Sequence, residues 1–252
     1  MGLKSLNLKR TGLSLFLNFI RSNLYYLLTK KNLILLFIIN VLSLFVIILN
    51  SSVLKGVSYL DSFRFLSDEY FETNVFQFIK FLYAIFVVFI NMSYFTGDYS
   101  NYSLYFIRDY KSKILFYLSK YFAVIIFDLI EFLILFYMRE FIKGLTPYYS
   151  VPFKHLTKYI SLYLLGLYVL MLSSLFMIIT GSHLSGLFSL AIYWLGDFIT
   201  LDNTKTFNNI ISLVVVTFDD KGQYYYGNFH IMFLISLLFL INMFILLNKD
   251  SI

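Results

Sequence analysis

The chain has 252 residues, 60% of them hydrophobic and only 13% charged, where soluble domains hold roughly 45–50% apolar and ~25% charged residues. At a mean hydropathy of +0.77 the solvent of this chain has to be largely lipid, which excludes soluble enzyme folds. There is no cysteine, so disulfides and thiolate metal sites are excluded as well, and the net charge of +6 needs no nucleic acid to explain it, because Lys and Arg mark the cytoplasmic ends of membrane proteins.

Residues 1–32 carry Lys4, Lys9, Arg10, Arg21, Lys30 and Lys31 and no acid. From Leu13 the apolar positions Phe16, Leu17, Ile20, Leu24, Leu27 and Leu28 follow the three-and-four spacing of one helical face, with Arg21 and Lys30 off it. This predicts an amphipathic helix lying on the membrane surface. A cleaved signal peptide would place a continuous apolar run directly after a short basic start, and none stands there.

Six spans are predicted. They cover residues 33–50, 81–96 (with a possible start near Val75 and Lys80 snorkelling outward), 121–138, 159–180, 184–199 and 229–247. The apolar stretch 207–218 is too short to cross and is expected to dip into the membrane or lie along it. Six spans of ~20 residues use about half of the chain, so residues 1–252 read as one all-α integral membrane domain. The spans joined by Gly181, Ser182 and His183 require a tight hairpin.

Six Lys or Arg in residues 1–32 and four in 97–120 (Arg108, Lys111, Lys113, Lys120) assign both segments, and with an even span number both termini, to the cytoplasm of a multi-pass protein of the cell membrane. Loops 51–74 and 197–228 each hold four acids against two bases and fit the outside. Loop 139–158, with Arg139, Lys143, Lys154 and Lys158, runs against this orientation. The first helix is given the greater weight.

The chain lacks the phosphate-binding pattern G-x-x-x-x-G-K-[ST], H-E-x-x-H and G-x-S-x-G. No catalytic, metal or cofactor residue is therefore expected in it. His155, His183 and His230 are far apart and near span ends, as interfacial residues are. Ser173, Ser174, Ser185 and Ser189, with Gly166, Gly181 and Gly186, are small enough to allow close helix approach. Asp128 and Glu131 are the unusual pair: three apart, on one helical face, in mid-span. A carboxylate in lipid costs roughly 2.5–3.5 kcal/mol on insertion scales, so such groups face a partner, a cavity or a substrate path. One reading is an acidic patch for cationic amphipathic cargo or a neighbouring subunit. The other is internal: an ion pair with Arg139 or a hydrogen bond with Asn40 or Asn91.

Residues 97–120 read GDYSNYSLYFIRDYKSKILFYLSK, with an acid at Asp98, an apolar patch from Leu104 to Ile107 and then basic residues. This segment resembles the loop between the second and third spans of the ABC-2 family of ABC transporter permeases. Asp98 matches the family's acid, Ser103 its Thr, Leu104, Tyr105, Phe106 and Ile107 its apolar run, Lys111 and Lys113 its basic residues, Ile114 its Ile and Lys120 its closing Lys. Tyr102 stands where the family commonly has Gly. The basic helix before the first span, the tight hairpin, the apolar segment before the last span and the ending Asn248 to Ile252 are similar too.

The resemblance implies an ABC-2 (type V exporter-like) permease fold of six helices, acting as a dimer or with a paralogue. It also implies a separate ATPase dimer that binds ATP and Mg. In this reading Tyr102, Leu104, Tyr105 and Phe106 are buried anchors for the ATPase, and Asp98, Arg108 and Asp109 orient it at the rim. Small bacterial members export or clear amphipathic antimicrobial and cytolytic peptides such as bacteriocins, lantibiotics or modulins. The rival reading is an ATP-independent membrane immunity protein that sequesters a bacteriocin. An intramembrane protease is more distant, since paired Glu and His motifs are missing.

Overall fold

The computed structural model describes residues 12–50, 68–95, 110–144, 156–201 and 227–249. These form α1 (Gly12–Leu27), α2 (Lys30–Asn50), α3 (Asp68–Phe95), α4 (Tyr110–Gly144), α5 (Leu156–Thr180), a short 3-10 turn (His183–Gly186), α6 (Leu187–Leu201) and α7 (Gly227–Lys249). No strand occurs among the described residues. Four helical stretches are long and apolar enough to cross a membrane: Lys30–Leu49, Tyr110–Ile142, Leu156–Thr180 and Phe229–Asn248. The chain is a helical, multi-pass membrane protein. Lipid cannot hydrogen-bond to peptide groups, and a helix satisfies them within its own segment.

α5 is the centre of the bundle. It packs against α3, α7, α6 and α4, and 67% of its apolar window is buried, against 22% for α2 and 17% for α7. The last two therefore present most of their surface to lipid. Phe37, Phe45, Phe233 and Phe244 are among their exposed residues. The core side chains come from α3, α4 and α5, with Tyr83, Val88, Tyr121, Val124, Leu162 and Leu165 fully or almost fully buried.

Two ends can be told apart. At one, α1 lies across the first half of α4, with Phe19 edge-on to Phe116 at 5.6 Å and Phe16 edge-on to Phe122 at 5.7 Å. The end of α3, the start of α2, the 3-10 turn and the end of α7 gather there: Tyr26 meets Tyr94, His183 Nδ1 donates to the Met92 carbonyl at 3.0 Å, and Lys113 Nζ reaches the Leu247 carbonyl at 3.5 Å. At the opposite end the starts of α3 and α5 meet the last turns of α4. Tyr159 is edge-on to Phe76 at 6.0 Å and to Phe136 at 5.4 Å.

The helices exceed the predicted spans. α3 begins at Asp68, well ahead of Val75, and α4 runs from Tyr110 to Gly144 and not only over 121–138. Hydropathy marks the part of a helix that meets lipid, whereas backbone hydrogen bonding continues past it into the polar layer. α1 covers Gly12–Leu27 of the predicted interfacial segment 1–32, of which residues 1–11 lie outside the described residues, and it is not simply laid on a membrane. Asn23 and Leu27 are buried, and Asn23 Nδ2 donates to Ser119 Oγ of α4 at 2.9 Å. Leu13, Leu17, Tyr25 and Leu28 are left on the exposed side, so α1 has one apolar face for protein and a second turned outward. Lys80 does not snorkel outward: it is buried, 6.0 Å from the Tyr193 ring of α6.

The predicted hairpin is present and is closed by its own side chains. Gly181 takes φ 69°, and its N–H bonds the Met177 carbonyl at 2.8 Å, the left-handed ending that favours glycine. Ser182 N–H donates to Thr180 Oγ1 at 3.2 Å and Ser185 Oγ to the Ser182 carbonyl at 2.7 Å. Gly181→Ala is expected to lose about 1–2 kcal/mol without changing the fold, which reversible unfolding in detergent would register.

Candidate functional site

Asp128 and Glu131 fall near the middle of α4, where a single unbroken helix brings both to its inner face. Asp128 is 3% exposed and Glu131 0%. Four helices meet around them. Asn40 of α2 bridges the Leu36 carbonyl and Glu131 Oε2 through its amide nitrogen, both at 2.8 Å. Tyr83 of α3 and Tyr163 of α5 are the electrostatic neighbours of Asp128. The Tyr83 hydroxyl stands beside the Asp128 carboxyl as its hydrogen-bonding neighbour, and among the described residues Glu131 Oε1 has no hydrogen-bond partner. Gly166 of α5 makes room for this tyrosine. A Cβ there would come within 2.5 Å of Tyr83 Cε1.

The internal alternatives for the pair are now decided one by one. Asn40 does bond Glu131. Asn91 does not take part; its amide goes to the Leu170 carbonyl at 2.8 Å and to Ser173 Oγ. Arg139 is not the counter-ion either. It contacts Glu140 and sits 5.0 Å from the Tyr159 ring. Along a helix Arg139 is about 12 Å from Glu131 and about 16 Å from Asp128, which is beyond the reach of its side chain.

A second polar set lies on α5 toward the α1 end. Besides Asn91 and Ser173 it contains Asn242 of α7, which donates to the Met171 carbonyl and to Ser174 Oγ, both at 2.9 Å, with Tyr121 3.4 Å from Ser174. Ser173 and Ser174 thus act as hydrogen-bonding partners across helices. Of the three glycines expected to allow close approach, Gly166 and Gly186 do so, the latter with Met92 and Met177 at 3.2 Å from the Cβ position, while Gly181 is a turn residue. Tyr83, Tyr163 and Asn242 were not singled out from the sequence. Asn242 carried a usable signal, a carboxamide in mid-span, but the tyrosines did not stand out among 22 in the chain.

Asp98, Tyr102, Ser103, Leu104, Tyr105, Phe106 and Arg108, the residues expected to couple to an ATPase, lie outside the described residues, as do residues 207–218 and His155. What is described is the pair of helix ends on either side of them. α3 stops at Phe95 and α4 starts at Tyr110, both at the α1 end. Lys120, the closing lysine of that segment, is buried against the faces of Tyr94 and Phe95, 4.9 Å from each ring centroid. Among the described residues no group of three or more His, Cys, Asp or Glu could hold a metal. No protein-family model matches the chain, and no curated protein matches it at a significant level.

The Asn40–Glu131 bond joins α2 to α4 across 91 residues of sequence. A double-mutant cycle of Asn40→Ala and Glu131→Ala, each of which removes one partner of the bond, is expected to give a coupling of about 0.6 kcal/mol, the mean for such bonds inside membranes, and at most about 1.7 kcal/mol. Thermal unfolding of the four proteins in one detergent measures it, and a coupling of zero would remove the bond from the account.

Proposed function

We propose that the chain is the membrane-spanning permease subunit of an ATP-driven ABC exporter that moves amphipathic antimicrobial or cytolytic peptides. It would act as a dimer, or beside a related permease, with two copies of a separate ATPase. The observation that carries this reading is the continuity of α4. One unbroken helix of 35 residues starts within the ABC-2-like segment 97–120, passes the buried Asp128 and Glu131 and ends beyond Arg139. A push on the segment would be delivered through this helix to the acids without a hinge between them. The absence of a phosphate-binding loop from the sequence is in keeping with an ATPase on another chain.

Two further spans complete six in this reading. α3, with 28 residues, is ample. α6 has 15 residues, about 22 Å, and the preceding 3-10 turn of four residues adds about 8 Å, together close to the ~30 Å hydrocarbon core. The α1 end, with Arg21, Lys30, Lys31, Lys111 and Lys113, is the cytoplasmic one by its positive charge. The carboxyls of Asp128 and Glu131, reached once the helices around them part, would attract the basic residues of a cationic peptide, an attraction strengthened by low dielectric.

Two experiments separate the parts of this reading. Exchanging Leu104 and Phe106 for Asp should abolish co-purification of an ATPase with the tagged protein and its ATP hydrolysis in detergent, since apolar anchors at the centre of an interface carry most of its affinity. Unchanged co-purification would sink the docking role. A chain that protects cells from a bacteriocin with no ATPase bound would be a sequestering immunity protein. Asp128→Asn with Glu131→Gln should instead leave the complex assembled and lower export of a cationic peptide by tenfold or more, about 1.4 kcal/mol. Normal export would take the acids off the substrate path.

A further inference from the structure

A groove of about 760 Å³ opens on the side of the bundle at the α1 end, between the α1–α2 turn, the first turns of α2, the end of α3 and the 3-10 turn. Its lining is of two kinds. The polar part includes the Thr29 hydroxyl, the Lys31 ammonium and the His183 ring. The apolar part includes Ile34 and Ile38 of α2 and Phe89 of α3, which are 59%, 47% and 45% exposed. Lys31, Ile34 and Ile38 follow each other along one face of α2 at helical spacing, so the apolar part extends about 10 Å along the helix from the cation.

The groove is open sideways along helices whose outer faces are apolar, so a hydrocarbon chain can enter from the bilayer without crossing water. Among the described residues no acid lines it, and Lys30 adds a second positive charge at the same helix start. Cationic cargo is repelled by these two lysines. An anionic amphiphile fits both halves at once.

We infer that this groove is a binding site for an anionic phospholipid of the leaflet at the α1 end, its phosphate held at Lys31 and Thr29 and one acyl chain lying on Ile34, Ile38 and Phe89. The site touches the α1–α2 turn, the end of α3 and the 3-10 turn, so an occupied groove fastens three elements together. This holds whether or not the chain works with an ATPase.

The test uses the full-length protein in nanodiscs. Trp194, the one native tryptophan, is stacked on Phe81 at 5.0 Å; it is replaced by Phe, which keeps the stack, and a reporter is introduced as F89W or, separately, I38W. Brominated phosphatidylglycerol at low mole fraction in phosphatidylcholine should quench either reporter several-fold more than brominated phosphatidylcholine at the same fraction. Lys31→Gln should lower that preference about fivefold, the effect of one lysine at an anionic surface, and Lys111→Gln, at the same end but off the groove, should not. Equal quenching by the two lipids, or equal effects of the two lysine variants, overturns the site. Relief of quenching by soluble glycerol phosphate would show a free phosphate site, and relief by a cationic amphipathic peptide a cargo site. Either result also overturns the lipid assignment. Native mass spectrometry of the unsubstituted protein, with phosphatidylglycerol retained in preference to phosphatidylcholine, guards against a reporter that distorts the groove.

Discussion

Lipid offers no hydrogen bonds, and this constraint organises everything inside the bundle. Backbone groups meet it by forming helices, and a side-chain amide, hydroxyl or carboxyl in mid-span is satisfied either by a carbonyl one turn back on its own helix, as Ser173 and Ser174 are, or by another helix. The interior therefore has a small number of cross-helix polar bonds at fixed heights. Asn40 ties α2 to α4 at Glu131, Asn91 ties α3 to α5, and Asn242 ties α7 to α5. Apolar packing alone is permissive about sliding and rotation, since most of these spans are hydrophobic around their whole circumference. The carboxamides set the register.

The same scarcity of partners explains what the many aromatic residues do. Buried cations rest against rings: Lys120 over Tyr94 and Phe95, Lys158 over Phe76, Arg139 over Tyr159. A ring face offers negative potential without presenting a charge that must itself be desolvated. Ring pairs such as Phe132 with Tyr163 and Phe95 with Tyr121 then connect neighbouring helices beside these sites. An aromatic content of 21% is thus distributed between lipid-facing anchors and an inner lining for positive charge.

How far the sequence could be read follows from what each signal reports. Hydropathy located the membrane-crossing stretches of α2, α4, α5 and α7, because it measures transfer into lipid directly. It understated α3 and α4, because their polar ends remain helical beyond the apolar stretch that hydropathy marks. Helical periodicity found α1 but assigned it one environment, since spacing cannot tell a protein-facing stripe from a lipid-facing one; Asn23, placed among apolar neighbours, was the residue that distinguished them. The acids Asp128 and Glu131 were conspicuous by cost, yet their partners depended on rotation about four helix axes. Spacing along the chain left Asn40, Asn91 and Arg139 as equal candidates, and only the packing chose Asn40. Gly166 was recognised as a place of close approach, but not that a tyrosine beside Asp128 would occupy the space.

The length of α4 has a mechanical meaning. At 1.5 Å per residue its 35 residues extend about 52 Å, nearly twice the ~30 Å core of a bilayer, with Asp128 close to the midpoint and α1 strapped along the first half. A rod pivoting near its centre converts a small angle into opposite displacements at its two ends: a tilt of 10° about the level of Asp128 carries Tyr110 through about 5 Å while Asp128 itself hardly moves. Groups at the fulcrum experience a change of angle and of neighbours rather than of position. A pair of carboxyls is best placed there if it has to stay at a constant depth in the membrane while both ends of its helix move.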